Sequence, residues 1–238
     1  VTKNSNIALG VILGSGVDLD ESIILDKRVI LEDTTGVHKK IVYTCELGGE
    51  QVLIFKGRRH FYEGYNYDEI TSNITYADKA GVKNLLITNA AGGLNSNFSE
   101  GDLMLITSHV NFNDRLKRAA GRIHYSKRLK LAFLNACRKN TVAIHEGTYG
   151  CYQGPTYETR AEVRFQKKIG LDAAGMSTIP EIYAARRKGM EVIAVSIITN
   201  LLKECSGEIT SHENVLQTAT LASLRLNKVL PSFVSELN

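Results

Sequence analysis

The 238-residue chain is 43% hydrophobic and 23% charged, with a formal net charge of +4. That balance fits a globular fold, and three prolines with no low-complexity tract argue against a long disordered linker. No apolar run reaches the ~18 residues of a membrane span, VTKNSN at the start shows no signal pattern, and the mild positive charge suits a small anionic ligand without demanding nucleic acid.

In chain order, NIALGVIL (6–13) reads as a strand that breaks at Gly14-Ser15-Gly16. KKIVYTCEL (39–47) and QVLIFKG (51–57) read as two more, the second running into Arg58, Arg59 and His60. Ile70, Ile74 and Ala77 share one helical face, which Gly81 ends. NLLITNA (84–90) and DLMLITSHV (102–110) follow as strands, then AIHEGTYGCY (143–152). Thr159 and Glu162 have capping-box spacing, with Ala161, Phe165 and Ile169 along one predicted side and Gly170 as the stop. STIPE (177–181) pairs Thr178 with Glu181, places Pro180 in a first turn, and has Gly189 at the far end. EVIAVSIIT (191–199) is the last predicted strand, and SHENVLQTATLASLRLNKVL (211–230) a long C-terminal helix. Strands alternating with helices predict a single α/β domain over 1–238, built on a mostly parallel or mixed sheet flanked by helices. Several strands are apolar on both faces, as central strands covered by helices are.

Cys45, Cys137, Cys151 and Cys205 are scattered without a C-x-x-C pair, which reads as reduced thiols in a cytoplasmic setting. The six histidines form no H-E-x-x-H, so no metal is expected.

Four strand-end segments carry candidate chemistry. Gly14-Ser15-Gly16 lacks the third glycine of G-x-G-x-x-G and the Gly-Lys-Ser/Thr of a Walker loop, so both nucleotide readings weaken. A plain tight turn needing glycine explains it equally well. Arg58 and His60 are anion donors, and an arginine fork suits phosphate, although a strand-end arginine is also an ordinary surface charge. The small residues of TNAAGGLN (88–95) let backbone approach a ligand, or a helix pack closely. Ser177 precedes a helix, where free N–H groups favour an anion, or it simply caps that helix. Together these segments suit a small tetrahedral anion better than a dinucleotide.

LGSG (13–16), GRRHFYEGY (57–65), TNAAGGLN (88–95), GTYGCYQGPTYET (147–159), AGMSTIPE (174–181) and SIITN (196–200) occur in this order and at suitable separations. They resemble the motifs of the trimeric, low-molecular-mass purine nucleoside phosphorylases, from about residue 8 to the C-terminal helix. The resemblance implies a nucleoside-phosphorylase type of α/β fold with a partly barrel-like sheet. It implies a homotrimer with active sites near subunit interfaces, and a reaction of a purine nucleoside with phosphate to give free purine and pentose 1-phosphate. No metal or organic cofactor is implied; phosphate is the co-substrate.

By this resemblance Ser15, Arg58, His60, the Ala90 backbone and Ser177 hold phosphate. Glu158 binds the N1–H edge of a 6-oxopurine, and Asn200 takes N7 as charge builds there. Tyr157, Ala91 and Gly92 line the base, and Tyr62, Met176 and His212 the sugar. The catalytic set is then Asn200, Glu158 and His60. An asparagine at 200 implies preference for inosine and guanosine, since the methylthioadenosine branch typically has aspartate there.

Two departures stand out. Arg59 occupies a position where the family usually has an aromatic or apolar residue. After SHVNF (108–112) the family has a long loop that helps cover the base; here Asn113-Asp114-Arg115 follow at once. Either that loop is absent or a segment is missing at this point, and a missing segment is the expectation. The basic run from Arg115 to Lys130, with Lys117, Arg118, Arg122, Lys127 and Arg128, would serve a nucleic-acid partner. It carries no binding motif and reads better as a solvated helix face. The rival functions are a methylthioadenosine phosphorylase, a hydrolytic nucleosidase, and a non-catalytic nucleoside binder.

Overall fold

A computed structural model describes residues 7–36, 38–116, 125–203 and 212–237, with the side chains of 212 and 213 outside the description. The strands are β1 (Leu9–Ile12), β2 (Leu25–Asp33), β3 (Lys40–Leu47), β4 (Glu50–Lys56), β5 (Asn84–Gly93), β6 (Leu103–Asn111), β7 (His145–Cys151), β8 (Ala173–Gly175) and β9 (Glu191–Leu201). The helices are α1 (Tyr67–Ile70), α2 (Ser72–Lys79), α3 (Lys127–Lys139), α4 (Arg160–Lys168), α5 (Ile179–Arg187) and α6 (His212–Ser235).

One mixed sheet runs in the order β2-β3-β4-β1-β5-β8-β7-β6-β9. β9 also pairs with β5, so β5, β8, β7, β6 and β9 close into a five-stranded barrel from which β1, β4, β3 and β2 extend. The predicted mixed, partly barrel-like α/β sheet is therefore what forms.

Side-chain alternation divides the core between two faces. Ile12, Leu53, Phe55, Leu85, Ile87, Val192 and Ala194 face Ile70, Ile74, Ala77, Ile179 and Ile182 of α1, α2 and α5. Leu9, Val11, Val52, Ile54, Leu86, Ile193 and Val195 face Leu129, Phe133, Leu226, Leu230 and Phe233 of α3 and α6. Burial on both faces explains the continuous apolar runs in these strands.

Every predicted strand is present, and two unpredicted ones join them. β2 lies at the sheet edge, exposed at most positions and held by its register with β3, so it has no buried alternation to read. β8 is three small residues long and exists only through pairing with β5 and β7. The face of α4 differs from expectation: Phe165 and Ile169 are 52% and 43% exposed, while Val163 packs with Leu94, Leu171 and Ala174. Phe165 instead meets the ring of Phe112, centroids 6.4 Å apart. The capping box of that helix does form, with the Thr159 N–H donating to Glu162 at 2.7 Å and the Glu162 N–H donating back to the Thr159 hydroxyl at 3.3 Å.

The Phe112 N–H donates to the Cys151 carbonyl at 2.8 Å, the Asn113 N–H to Asn111 Oδ1 at 3.0 Å, and the Leu116 N–H to the Asn113 carbonyl at 3.2 Å. An Asx turn at Asn111 thus follows β6, and residues 117–124, where a longer loop would fall, lie outside the described residues. In the basic run, Arg128 donates to Glu191, Lys130 pairs with Glu146, and Arg115 donates to the Phe61 carbonyl. Lys117, Arg118 and Arg122 lie outside the described residues. Cys45, Cys137 and Cys151 are buried free thiols, and Cys205 is outside the description.

Candidate active site

β1 is parallel to both β4 and β5, and β5 to β9, so four carboxyl ends converge on one edge. Ligands collect at such ends because the loops there carry free polar groups. A cleft of about 440 Å³ opens at this point. Ser15 follows β1, Arg58, His60 and Tyr62 follow β4, and Ala90, Ala91 and Gly92 belong to the end of β5. Tyr157, Glu158, Met176, Ser177 and Asn200 complete the predicted residues on its wall. His212 begins α6, and its side chain lies outside the described residues. Val215, one turn further on, lines the cleft.

The cleft adjoins two further cavities. One, of about 300 Å³, shares Ser15, His38 and Arg58; the other, of about 620 Å³, shares Tyr157, Glu158, Thr199, Asn200, Leu202 and Val215. Ser15, Arg58, His60 and Ser177 share the cleft wall with Glu158 and Asn200.

Both glycines of the first turn are sterically required. A Cβ at Gly14 would lie 2.7 Å from Asn89 Cα, and Gly16 has φ +74° with a virtual Cβ 2.8 Å from Ala219 Cβ on α6. Close packing thus accounts for the glycines, and Ser15 between them is the residue that meets the cleft.

Arg58 is 4% exposed. Its Nε donates to Glu181 at 2.9 Å, Nη1 to Ser177 Oγ at 3.1 Å and Nη2 to the Thr88 carbonyl at 2.8 Å. An arginine has five N–H donors, so three such bonds fix the plane while the side chain still lines the cleft. Glu181 is itself fully buried and takes the Thr178 N–H at 3.1 Å on its other oxygen. Thr178 has φ +78° and ψ −50°, with the Ile179 N–H donating to the Ser177 carbonyl at 2.9 Å. This tight three-residue turn costs on the order of 1–3 kcal/mol. Asn89 holds it by donating to the Thr178 hydroxyl at 2.9 Å. Ser177 is thereby presented at the start of α5, where helix N–H groups favour an anion.

His60 is 6% exposed and stacks on Tyr62 with ring centroids 4.8 Å apart. Its backbone N–H donates to Glu63 Oε2 at 2.9 Å, and its Nδ1 lies 3.3 Å from Glu63 Oε1. The same Oε1 is 2.8 Å from His38 Nε2. Burial pushes the Glu63 carboxyl up, but hydrogen bonds from the His60 side chain and backbone, with the charges of His60 and His38, outweigh it and hold it low. His38, His60 and Glu63 have ligand atoms within 4.8 Å of one another, the spacing of a cation site. The carboxylate bridging two imidazoles accounts for that grouping without an ion.

On the other side, burial raises the Glu158 carboxyl above the usual range, and the nearby Glu162 charge adds to the rise. The Thr199 hydroxyl lies 3.3 Å from the Ala91 carbonyl and 3.2 Å from Asn200 Oδ1, restricting the amide. His38, Glu181 and Thr199 went unread as site residues. His38 sits beside an edge strand without pattern, and Glu181 reads from sequence only as a capping carboxylate.

Residues 8–235 match the phosphorylase superfamily. The chain is 35% identical to purine nucleoside phosphorylase 1 of Geobacillus stearothermophilus, over 88% of this chain and 84% of that one. It is 32% identical to purine nucleoside phosphorylase 1 of Bacillus subtilis, over 96% and 92%. A crystal structure of Schistosoma mansoni purine nucleoside phosphorylase in complex with adenosine superposes with a TM-score of 0.87 at 29% identity, covering 98% of this chain and 91% of that one. Isoform 2 from the same organism, in complex with cytosine and ribose-1-phosphate, superposes with a TM-score of 0.83 at 30% identity, covering 97% and 91%. Fold, cleft and matches define an enzyme of the pentosyltransferase class. The chain belongs to the purine nucleoside phosphorylase family of the phosphorylase superfamily.

Proposed function

We propose that the chain catalyses phosphorolysis of purine nucleosides, with preference for the 6-oxopurines inosine and guanosine. The observation that carries this reading is one cleft that gathers the donors Ser15, Arg58, His60 and Ser177 together with the carboxylate of Glu158 and the amide of Asn200. Phosphate sits among Ser15, Arg58, His60, the Ala90 N–H and Ser177. The pentose lies between, against Tyr62 and Met176, with His212 reaching the 5′-hydroxyl. Tyr157, Ala91 and Gly92 flank the purine.

A phosphate oxygen forms the bond to C1′ as the C1′–N9 bond breaks, and the bonding pair leaves with the purine. The sugar carries oxocarbenium character in between, and a fixed phosphate dianion stabilises it. Asn200 hydrogen-bonds N7 of the departing base and Glu158 accepts from N1–H. Both contacts strengthen as negative charge grows on the purine, so they act on rate more than on ground-state binding. His60 completes the catalytic set on the phosphate side. The reaction as proposed uses phosphate as co-substrate and calls for no metal or organic cofactor.

The related structure with adenosine and the one with ribose-1-phosphate support nucleoside and pentose phosphate as ligands of this cleft. A role in purine salvage, a cytoplasmic location and a homotrimer belong to the same proposal; no described helix is long and apolar enough to cross a membrane. Inosine cleavage followed with and without phosphate tests the reading. Hypoxanthine release that requires phosphate and yields ribose 1-phosphate is expected. Release without phosphate would make the enzyme a hydrolase, and a monomer by light scattering would remove the trimer.

A further inference from the structure

Arg58, Arg59 and His60 follow β4, and burial separates the three side chains. Arg58 and His60 turn inward and are nearly sealed, while Arg59 turns outward and is 21% exposed. The outward arginine is not idle. Its Nη2 lies 3.2 Å from Asp33 Oδ2 at the end of β2. Its guanidinium carbon stands 4.8 Å from the ring centroid of Tyr65, which closes the same segment.

Asp33 organises the start of the β2–β3 turn. Its Oδ1 accepts from the Thr35 N–H at 2.9 Å and from the Thr35 hydroxyl at 2.6 Å. Gly36 then passes against Tyr65 so closely that a Cβ there would lie 2.8 Å from the Tyr65 hydroxyl and 3.8 Å from Arg59 Nη2. Two residues on, His38 reaches back to Glu63 at 2.8 Å, the carboxylate that also receives His60. The rings of His38 and His60 meet edge to face, centroids 6.1 Å apart. The turn is therefore gripped at one end by Arg59 and touches the anion side of the cleft at the other.

We propose that Arg59 is a positioning residue for phosphate binding: through Asp33 and Tyr65 it fixes the β2–β3 turn so that His38 engages Glu63 and holds the His38–Glu63–His60 relay at the anion site. The inference rests on the phosphorolysis reading for its phosphate. Lys40 is the other cation in the arrangement. Burial and then the Arg59 charge depress its pKa, its ammonium donates to Ser72 at 3.0 Å, and it leaves the direct contact with Asp33 to Arg59. An arginine is suited to this place because a planar group can pair with a carboxylate and stack on an aromatic ring at once.

The test is a double-mutant cycle between Arg59→Ala and His38→Ala, read both as KM for phosphate and as phosphate affinity by calorimetry. Arg59→Ala is expected to raise both about 3- to 10-fold, in line with the loss of one partly exposed ion pair and one stacked cation. KM for inosine and kcat at saturating phosphate stay within about twofold, as expected when only phosphate binding is weakened. Arg59→Lys restores part of the loss. In the His38→Ala background, Arg59→Ala adds less than about twofold, because coupled residues are non-additive. Asp33→Asn reproduces the Arg59→Ala effect from the other partner and covers the case in which Arg59→Ala folds poorly. Unchanged phosphate affinity in Arg59→Ala and Asp33→Asn, or an equal effect with and without His38, overturns the proposal. Failure of the wild-type enzyme to consume phosphate would instead overturn the phosphorolysis reading, and the calorimetric cycle would still decide the role of Arg59.

Discussion

Arg58 Nε and Glu181 Oε1 form a 2.9 Å ion pair whose side chains are 3% and 1% exposed. The pair joins the carboxyl end of β4 to the first turn of α5, across 123 residues of sequence. It fixes the guanidinium in place, so the phosphate binding proposed for Arg58 would carry less ordering cost. Taking one partner out of a buried pair leaves an uncompensated charge, which costs about 3–5 kcal/mol. Glu181→Ala is therefore expected to lower unfolding free energy in urea by about that amount and to raise KM for phosphate more than tenfold. Wild-type stability together with wild-type phosphate KM in that variant would show that the pair orders nothing.

Glu158 gives a pH signature. Burial raises its carboxyl, and Glu162 raises it further. In the proposed reaction the ionised form accepts N1–H, so activity is expected to be lost as pH falls through the raised value. The acid limb of kcat/KM for inosine should lie above the ordinary carboxylate range. Glu162→Gln should move that limb to lower pH. Glu158→Gln should remove it and lower kcat/KM about 10²-fold or more, the size expected for a charged hydrogen bond. A limb at the ordinary carboxylate position would place the titration elsewhere.

Asn200 is the position at which base preference is tested. In the proposed pose, Asn200→Asp replaces a donating amide by an acceptor-only group, which can accept from the 6-amino group of adenosine but no longer donates to N7 or to the 6-oxo oxygen. Adenosine use is expected to rise relative to inosine by about tenfold or more, one hydrogen bond's worth of discrimination. Comparable kcat/KM for the two nucleosides in the wild-type enzyme would remove the predicted 6-oxopurine preference.

Gly16 links the first turn to α6. Its φ of +74° and the approach of Ala219 and Leu216 leave no room for a side chain. Gly16→Ala should cost more than about 1 kcal/mol, since alanine at positive φ is strained. It should also raise KM for phosphate by displacing Ser15. Denaturant midpoints and phosphate titration read the two effects separately, and a neutral result on both would mean the turn relaxes freely.

The predicted strands were legible because their apolar runs are long and bounded by glycine or polar residues. The capping boxes at Thr159 and Thr178 were legible because that spacing is local. α4 was misread on its buried face because Phe165 and Ile169 are apolar yet the helix turns Val163 inward. Of the cleft, the strand-end residues were readable as motifs. His38 was not, since it follows an edge strand whose stability comes from pairing with β3 and not from a buried pattern.

By itself the sequence determined the alternation of strands and helices, the order of the polar segments at strand ends, and the family to which they belong. These are properties of neighbouring residues, written in periodicity and spacing. Only the tertiary structure decided that the sheet closes from β5 through β9, that Glu181 anchors Arg58, and that Arg59 reaches back to Asp33. Each of those relations joins segments distant along the chain, and side-chain packing and register select them after the local elements have formed.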